Sequence, residues 1–264
     1  MRWEELTSDE FATAVRNTGV CLISMSVIEK HSTHLPLGTD LFNGHAVACL
    51  AAEKEPAVVF PPFYFGQIYE AKCFPGTITI PPRLLLELIF EVLDEIGRNG
   101  FRKIILYCAH GGNAYLLPLI TQATLAAEKP YCVYSFNGLL RDCLNTAARQ
   151  DEWDALLETP VHGHACECET SLILAHRPDL VKMDRLPEKP ADPLRRMEHL
   201  ANAFTALSWY ADYPQHYAGD ARPASAVKGR HFLELMADSL AEFIAAVKKD
   251  EVLPALSKEF FNRS

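Results

Sequence analysis

Four short apolar runs, Val20 to Ile28, Ala57 to Phe60, Lys103 to Ala109 and Tyr131 to Phe136, punctuate the first half of this 264-residue chain. Each has the length of a strand, and none alternates polar with apolar residues as a strand with one wet face does. Such strands must be covered on both sides, and the segments between them supply the covers. Thr7-Ser8-Asp9-Glu10 offers a cap for a helix that Gly19 ends. Leu41 to Leu50 reads as a helix, and Pro81-Pro82 open a longer one with Leu85, Leu88, Ile89, Val92, Leu93 and Ile96 on one face before Gly97 and Gly100 close it. Asn113 to Ala127 is helical. This alternation predicts an α/β fold: a doubly wound, mostly parallel sheet with helices on both faces, formed by residues 1–264 as one domain.

The second half carries fewer strand signals. Gly138 to Thr159 is a polar helical stretch, and Thr170 to His176 is a helix stopped by Arg177-Pro178. Pro187 to Ala226, with several prolines, reads as a long excursion holding one helix from Leu194 to Tyr210. Phe232 to Val247 is an amphipathic helix near the C-terminus.

With 25 Lys and Arg against 34 Asp and Glu, the net charge is −9. No basic stripe offsets it, which argues against nucleic acid or an anionic membrane as partner. Met1-Arg2-Trp3-Glu4-Glu5 lacks the apolar core of a signal peptide, and no run approaches membrane-spanning length. Cys21, Cys49, Cys108 and Cys132 sit inside apolar runs, where free cysteine behaves as a small hydrophobe. The expectation is a reduced, cytoplasmic protein.

Chemistry concentrates where the apolar runs end. Glu29, His31, His34 and Asp40 fall within twelve residues, in a stretch that Pro36 and Gly38 keep from being regular structure. A later run ends in His110-Gly111-Gly112-Asn113, and a third cluster is His164-Ala165-Cys166-Glu167-Cys168-Glu169-Thr170-Ser171. In open α/β sheets ligands bind at the carboxyl ends of strands, which gives Glu29 and His110 a shared location. Glu29 and His31, two apart, point to one side if extended backbone persists. Asp40 could then bridge two ions, since a carboxylate has two oxygens and paired hydrolytic metals lie about 3.5–4 Å apart. The plain alternatives are an N-cap for Asp40, a surface charge for Glu29 and hydrogen-bonded loop histidines.

Glu29-x-His31, His34-Leu35-Pro36-Leu37-Gly38-Thr39-Asp40, Phe74-Pro75-Gly76-Thr77, His110-Gly111-Gly112-Asn113 and Glu169-Thr170-Ser171, in this order, resemble the creatininase (creatinine amidohydrolase) family from about Gly19 to Leu180. The resemblance implies a two-metal hydrolytic centre in a homo-oligomer, in many members a hexamer. It implies Glu29, Asp40 and His110 around one divalent ion and His31 and Asp40 around the other. Zinc comes first, with manganese, iron and nickel open. In creatininase itself Tyr and Glu follow the histidine matched by His110, and that Glu is a ligand. Gly111 and Gly112 stand here instead, and Glu169 is the replacement implied by members with the Gly-Gly form. His164 matches the histidine that faces substrate and is a candidate proton donor, as is Glu169; a structural histidine is the alternative.

Two departures stand out. Glu70-Ala71-Lys72-Cys73 replaces a stretch in which many relatives carry a histidine, so the pocket wall differs. Tyr64, Phe65 and Tyr69 are candidates to line it, or simply pack. The Cys166-Glu167-Cys168 insert, with His162 and His164, raises a structural zinc; but an extended 162–168 segment spans about 20 Å, too long for one tetrahedral ion. In a helical turn only some of the four converge, so a buried or redox-sensitive pair of thiols is the reading preferred, and Cys166 and Cys168 are left unassigned.

The function expected is hydrolysis of a small polar molecule by a metal-activated water, opening a cyclic amide or related ring at a C–N bond. The alternatives are hydrolytic C–C opening of an inositol-derived cyclic diketone, peptide or formamide hydrolysis, and a metal-free scaffold. A Cys108 nucleophile is a weaker rival, because a thiol on a buried strand is normally inert.

Overall fold

The computed structural model describes residues 1–200 and 202–263. Its centre is a four-stranded parallel sheet of β1 (Val20–Met25), β2 (Val58–Val59), β3 (Lys103–Cys108) and β4 (Cys132–Asn137), in the order β2-β1-β3-β4. β1 pairs in register with β3 from Val20↔Lys103 to Met25↔Cys108.

The apolar runs are unbroken because the two faces of the sheet meet different helices. Val20, Leu22, Ile105 and Tyr107 point into one core with α2 (Thr39–Lys54) and α8 (Ala226–Lys249). Their neighbours Cys21, Ile23, Ile104 and Leu106 point into the other, against Leu85, Ile89, Leu93 and Ile96 of α3 (Pro82–Arg98) and Leu117 and Ile120 of α4 (Asn113–Ala123). Truncating a fully buried residue such as Ile89 to alanine should cost about 2–5 kcal/mol.

The connections decide where a site can form. From β1 the chain crosses by α2 outward to β2, then returns by α3 past β1 to β3. The winding reverses between β1 and β3, leaving a crevice at their carboxyl ends. Around it lie α5 (Ala147–Leu156), β5 (His162–His164), α6 (Glu167–His176), α7 (Ser208–Asp212) and β6 (Ala218–Gly219); α9 (Val252–Phe261) follows α8. β5 and β6 form a separate antiparallel pair.

Several boundaries differ from those read in sequence. β1 stops at Met25 because the Ser26 N–H and hydroxyl both donate to the Phe63 carbonyl, at 3.2 and 2.9 Å. α1 (Ser8–Thr18) has Thr7 as its cap, closed reciprocally by Glu10, and Gly19 ends it with φ 65°. α8 starts six residues before Phe232, at a cap where the Ser225 side chain accepts the Lys228 N–H. The helix expected from Leu194 to Tyr210 does not form over the described residues. Only α7 is helical there, and Arg195 and Asn202 adopt positive φ. Arg196 donates to the Tyr210 and Ala211 carbonyls at 2.6 and 2.5 Å, a tertiary clasp that overrides local helix preference. Among the described residues no helix is long and apolar enough to cross a membrane.

Candidate metal centre

Beyond β1 the chain runs without ladder bonds, held by the Glu29 N–H on the Leu37 carbonyl at 3.0 Å. Ser32, at φ 54°, turns it back and donates its N–H to the His216 carbonyl at 2.8 Å. Glu29 and His31 are thereby both buried in the crevice. Asp40 lies in the first turn of α2, where its carboxylate faces histidines rather than capping the helix. His110 follows β3.

Each of the two histidines gives one nitrogen to a backbone carbonyl and turns the other on carboxylates. His31 Nδ1 lies 3.3 Å from the Glu29 carbonyl, and its Nε2 lies 3.1 Å from Asp40 Oδ1 and 3.9 Å from Glu169 Oε2. His110 Nε2 lies 2.9 Å from the Gln67 carbonyl, and its Nδ1 lies 2.8 Å from Asp40 Oδ2 and 2.9 Å from Glu29 Oε1. A neutral ring that donates to a carbonyl has a bare nitrogen on the other side. With neutral rings, bare nitrogens and carboxylate oxygens would converge with no proton between them, and Glu29 Oε1 is buried without a hydrogen bond. Only a cation or extra protons on the imidazoles can neutralise such a set. The residues present therefore fit divalent ions.

The electrostatics agree. Burial opposes charging of His31, yet Asp40, then Glu169 and Glu29, push it up to about 9. Burial likewise opposes charging of His110, but Glu29 and Asp40 hold it well above the usual imidazole range. Burial resists ionisation of Glu29, which His164 and His110 nonetheless keep well below the ordinary carboxylate range. Glu169 goes the other way: burial raises it to about 8. In the absence of metal, protons take the place a cation would fill.

His164 stacks on His31, ring centroids 4.1 Å apart, and its Nε2 lies 2.7 Å from the Lys30 carbonyl. Burial and the neighbouring His31 push it down to about 4, so the ring is neutral at pH 7. Of the residues singled out in sequence, Glu29, His31 and Asp40 form one close group and His31, His164 and Glu169 another. His34 does not join them: its Nε2 meets the Thr170 hydroxyl at 2.9 Å, fastening the ligand loop to α6.

The rest of the motifs hold the frame. Asn113 accepts the Gln67 N–H and donates to the Met25 carbonyl, both at 2.9 Å, tying β1 to the loop that bears on His110. Ser171 accepts the Ser225 N–H at 3.1 Å, linking α6 to α8. Gly112 is required by space, since a Cβ there would lie 2.4 Å from the Gln67 carbonyl and 2.7 Å from His110 Nε2. A side chain at that position would require the Gln67 loop or the His110 ring to move.

His216 was not among the residues read from the sequence. It is fully buried, at φ 50°, with Nδ1 3.4 Å from Glu29 Oε2 and with neither nitrogen hydrogen-bonded. Glu29, His164 and His216 make a third close group. It lies among prolines with no periodic signal, and only the return of the chain into β6 carries it to the site.

The centre opens into a cavity of about 1650 Å³. Tyr69 lines it, as do Glu70, Lys72 and Cys73 of the departing loop. Tyr64 and Phe65 do not: they pack on each other, centroids 4.6 Å apart, and Phe65 packs on Phe63. Trp209, Tyr213 and Phe204 add aromatic wall. Cys108 is buried, its thiol pushed up by that burial and donated to the His110 carbonyl at 3.3 Å, so it is no nucleophile.

The profile of the creatininase family, described as creatinine amidohydrolase, matches residues 4–244. A 3-dehydro-scyllo-inosose hydrolase of Thermotoga maritima is 24% identical over 92% of this chain and 82% of its own length. A mycofactocin precursor peptide peptidase of Mycobacterium ulcerans is 29% identical over 85% and 84%. The creatinine amidohydrolase of Pseudomonas putida is 26% identical over 70% and 75%. Among solved structures, a manganese creatininase superposes with TM-score 0.76 at 23% identity, covering 94% of this chain and 99% of that one. A Zn-Zn type variant gives 0.75 at 22% identity over 94% and 98%.

Proposed function

The chain belongs to the creatininase family, and from that premise we propose that it is a metal-dependent amide hydrolase cutting a C–N bond, with residues 1–264 acting as one catalytic unit. One observation carries the reading: Asp40 gives one oxygen to His31 and the other to His110. A carboxylate divided between two nitrogen donors is the arrangement a bridged pair of ions needs. Glu29, Asp40 and His110 would hold one ion; His31, Asp40 and Glu169 would hold the other. Bound there, divalent ions, zinc or manganese as in the solved relatives, supply Lewis acidity that makes water nucleophilic near neutral pH and polarises a carbonyl.

The chain's own groups do the rest. The backbone carbonyls of Glu29 and Gln67 fix the tautomers of His31 and His110. His164, neutral with Nε2–H on the Lys30 carbonyl, keeps Nδ1 free to take a proton from the attacking water and hand it to the departing nitrogen. Glu169 receives the Ala165 N–H on Oε2 at 2.5 Å, which fixes the carboxylate.

The first substrate class is a small cyclic amide. A second reading, hydrolysis of a peptide-like amide, is favoured by the volume of the cavity, which exceeds the about 300–1,000 Å³ of ordinary small-molecule sites. Metal-loaded protein assayed against cyclic amides, short peptides and inositol-derived cyclic ketones tests this. Release of carboxylate and amine from an amide supports the reading. Turnover of ketones alone, or of nothing by fully loaded protein, overturns it.

A further inference from the structure

Cys166 and Cys168 belong to no role described above, yet they meet His162 at the wall of the cavity. The extended span that would keep these residues apart does not exist. β5 ends at His164, Ala165 adopts φ 54°, and α6 begins directly, with Cys166 as its N-cap and Cys168 in its first turn. This reversal folds the two cysteines back under His162. His162 Nδ1 lies 3.9 Å from Cys168 Sγ, and the two sulfurs and one ring nitrogen all lie within 4.8 Å of one another. His164, the fourth candidate in that stretch, points instead into the hydrolytic centre.

We propose that His162, Cys166 and Cys168 form a separate binding site for a soft d10 cation, zinc in the first place, with its fourth position open to the cavity. The donor set is the first reason: two sulfurs and an imidazole select zinc and cuprous ions over the hard cations that carboxylates favour. The spacing is the second. A sulfur at about 2.3 Å and a nitrogen at about 2.1 Å from one tetrahedral ion stand about 3.6 Å apart, close to the 3.9 Å found between Cys168 and His162. Burial is the third: Cys166 and Cys168 are 0% and 1% exposed, so the sulfurs are fixed by packing, while His162 reaches the surface and provides the way in. Gly219 presses on Cys166, where an added Cβ would stand 3.3 Å from Cys166 Cβ, so the site has little slack.

Among the described residues the neighbouring carboxylates are engaged elsewhere: Asp154 is paired with Arg141 at 2.6 Å. Glu167, between the two cysteines, is tied to Lys228 and to Thr159, and Glu169 faces His31. The open position therefore falls to water or to a group of whatever occupies the cavity, which His162 and Cys168 both line. Binding is a simple exchange: each thiol that coordinates loses its proton to solvent, and no electrons move.

The site does not depend on the proposed hydrolytic reading, and one experiment separates them. Full-length protein freed of metal is titrated with Co²⁺, then with Zn²⁺ under elemental analysis, alongside Asp40→Asn, Cys166→Ser, Cys168→Ser and His162→Ala. Cobalt bound to thiolate gives a strong near-ultraviolet charge-transfer band that histidine and carboxylate ligands do not. The band appears in wild type and in Asp40→Asn, vanishes in both serine variants, and in His162→Ala needs at least tenfold more cobalt. Zinc per chain falls by one in each serine variant. His162 is exposed, so its variant keeps the test decisive should a buried serine impair folding. A wild type without the band, or a band that survives both serine variants or is unmoved in His162→Ala, overturns the proposal.

Discussion

Asp40 Oδ2 lies 2.8 Å from His110 Nδ1 although seventy residues separate them, and Asp40 Oδ1 faces His31. One residue in the first turn of α2 therefore joins the ends of two adjacent parallel strands, at the point where the sheet reverses its winding. The fold makes the meeting place, and the carboxylate gives it a charge that two imidazoles answer.

Metal uptake should release protons at neutral pH. With Asp40 beside it, His31 is held at about 9 in the metal-free protein, so an arriving ion must displace its proton at pH 7. Apparent affinity should rise through pH 7 to 9 and level off above. The effect on the empty protein is opposite in sign. A folded value above the unfolded about 6.5 means stability that is fully present below pH 6.5 and lost as pH climbs through about 9. Calorimetry in buffers of different ionisation enthalpy measures the released protons; an uptake free of buffer dependence at pH 7 would refute this picture.

His216 should matter as much as residues that any reader of the sequence would choose. Its Nδ1 faces Glu29 Oε2 at 3.4 Å, and groups that orient a ligand typically contribute about 10–100-fold to metal affinity. His216→Phe keeps the ring bulk, and should weaken metal binding by about that factor without lowering the thermal midpoint of metal-free protein by more than a few degrees. Unchanged affinity in a competitive chelator titration would show that His216 is only packing.

The strands and the place of the candidate centre were legible in the sequence for one reason: parallel strands buried on both faces are continuous apolar runs, and in this topology they end at the crevice. Glu29 and His110 follow from that, whereas Asp40, in the first turn of α2, reads alone as a helix cap. His216 and the turn at Ala165 were not legible. Both depend on positive φ at residues other than glycine, which composition does not announce, and on tertiary returns from a proline-rich segment. The helix read at 194–210 failed likewise, because Arg196 clasps distant carbonyls instead of continuing a helix.

Gly112→Ala should disable the centre while leaving the fold. The new Cβ would meet the Gln67 carbonyl and the His110 ring, so His110 must move from Glu29 and Asp40. Loss of at least tenfold in metal affinity with a circular dichroism spectrum like wild type is expected. Wild-type affinity would mean that the loop yields freely.

Glu167 is structural, and its removal should be costly. It is buried against Lys228 at 2.5 Å, the Thr159 hydroxyl at 2.7 Å and the Glu158 and Thr159 N–H groups. Glu167→Ala leaves Lys228 with Glu158 and the Pro223 carbonyl but removes the acceptor of the Thr159 hydroxyl and of two amides, and should destabilise by about 1–3 kcal/mol. Burial opposes ionisation of Glu167, but Lys228 and Thr159 hold it below the ordinary carboxylate value. Its contribution is therefore present above about pH 4.3 and lost as pH falls through the lower folded value. Denaturant titration of the variant checks the first figure; a loss under 1 kcal/mol would contradict the burial argument.

The most direct test is the metal content of wild type and Asp40→Asn, reconstituted side by side and counted by elemental analysis, with Cys168→Ser in both backgrounds to set aside the thiol site. The account predicts two ions per chain in the Cys168→Ser protein, falling to one or fewer when Asp40→Asn is added. Two ions retained without the Asp40 carboxylate, or none bound with it intact, would contradict the bridged centre.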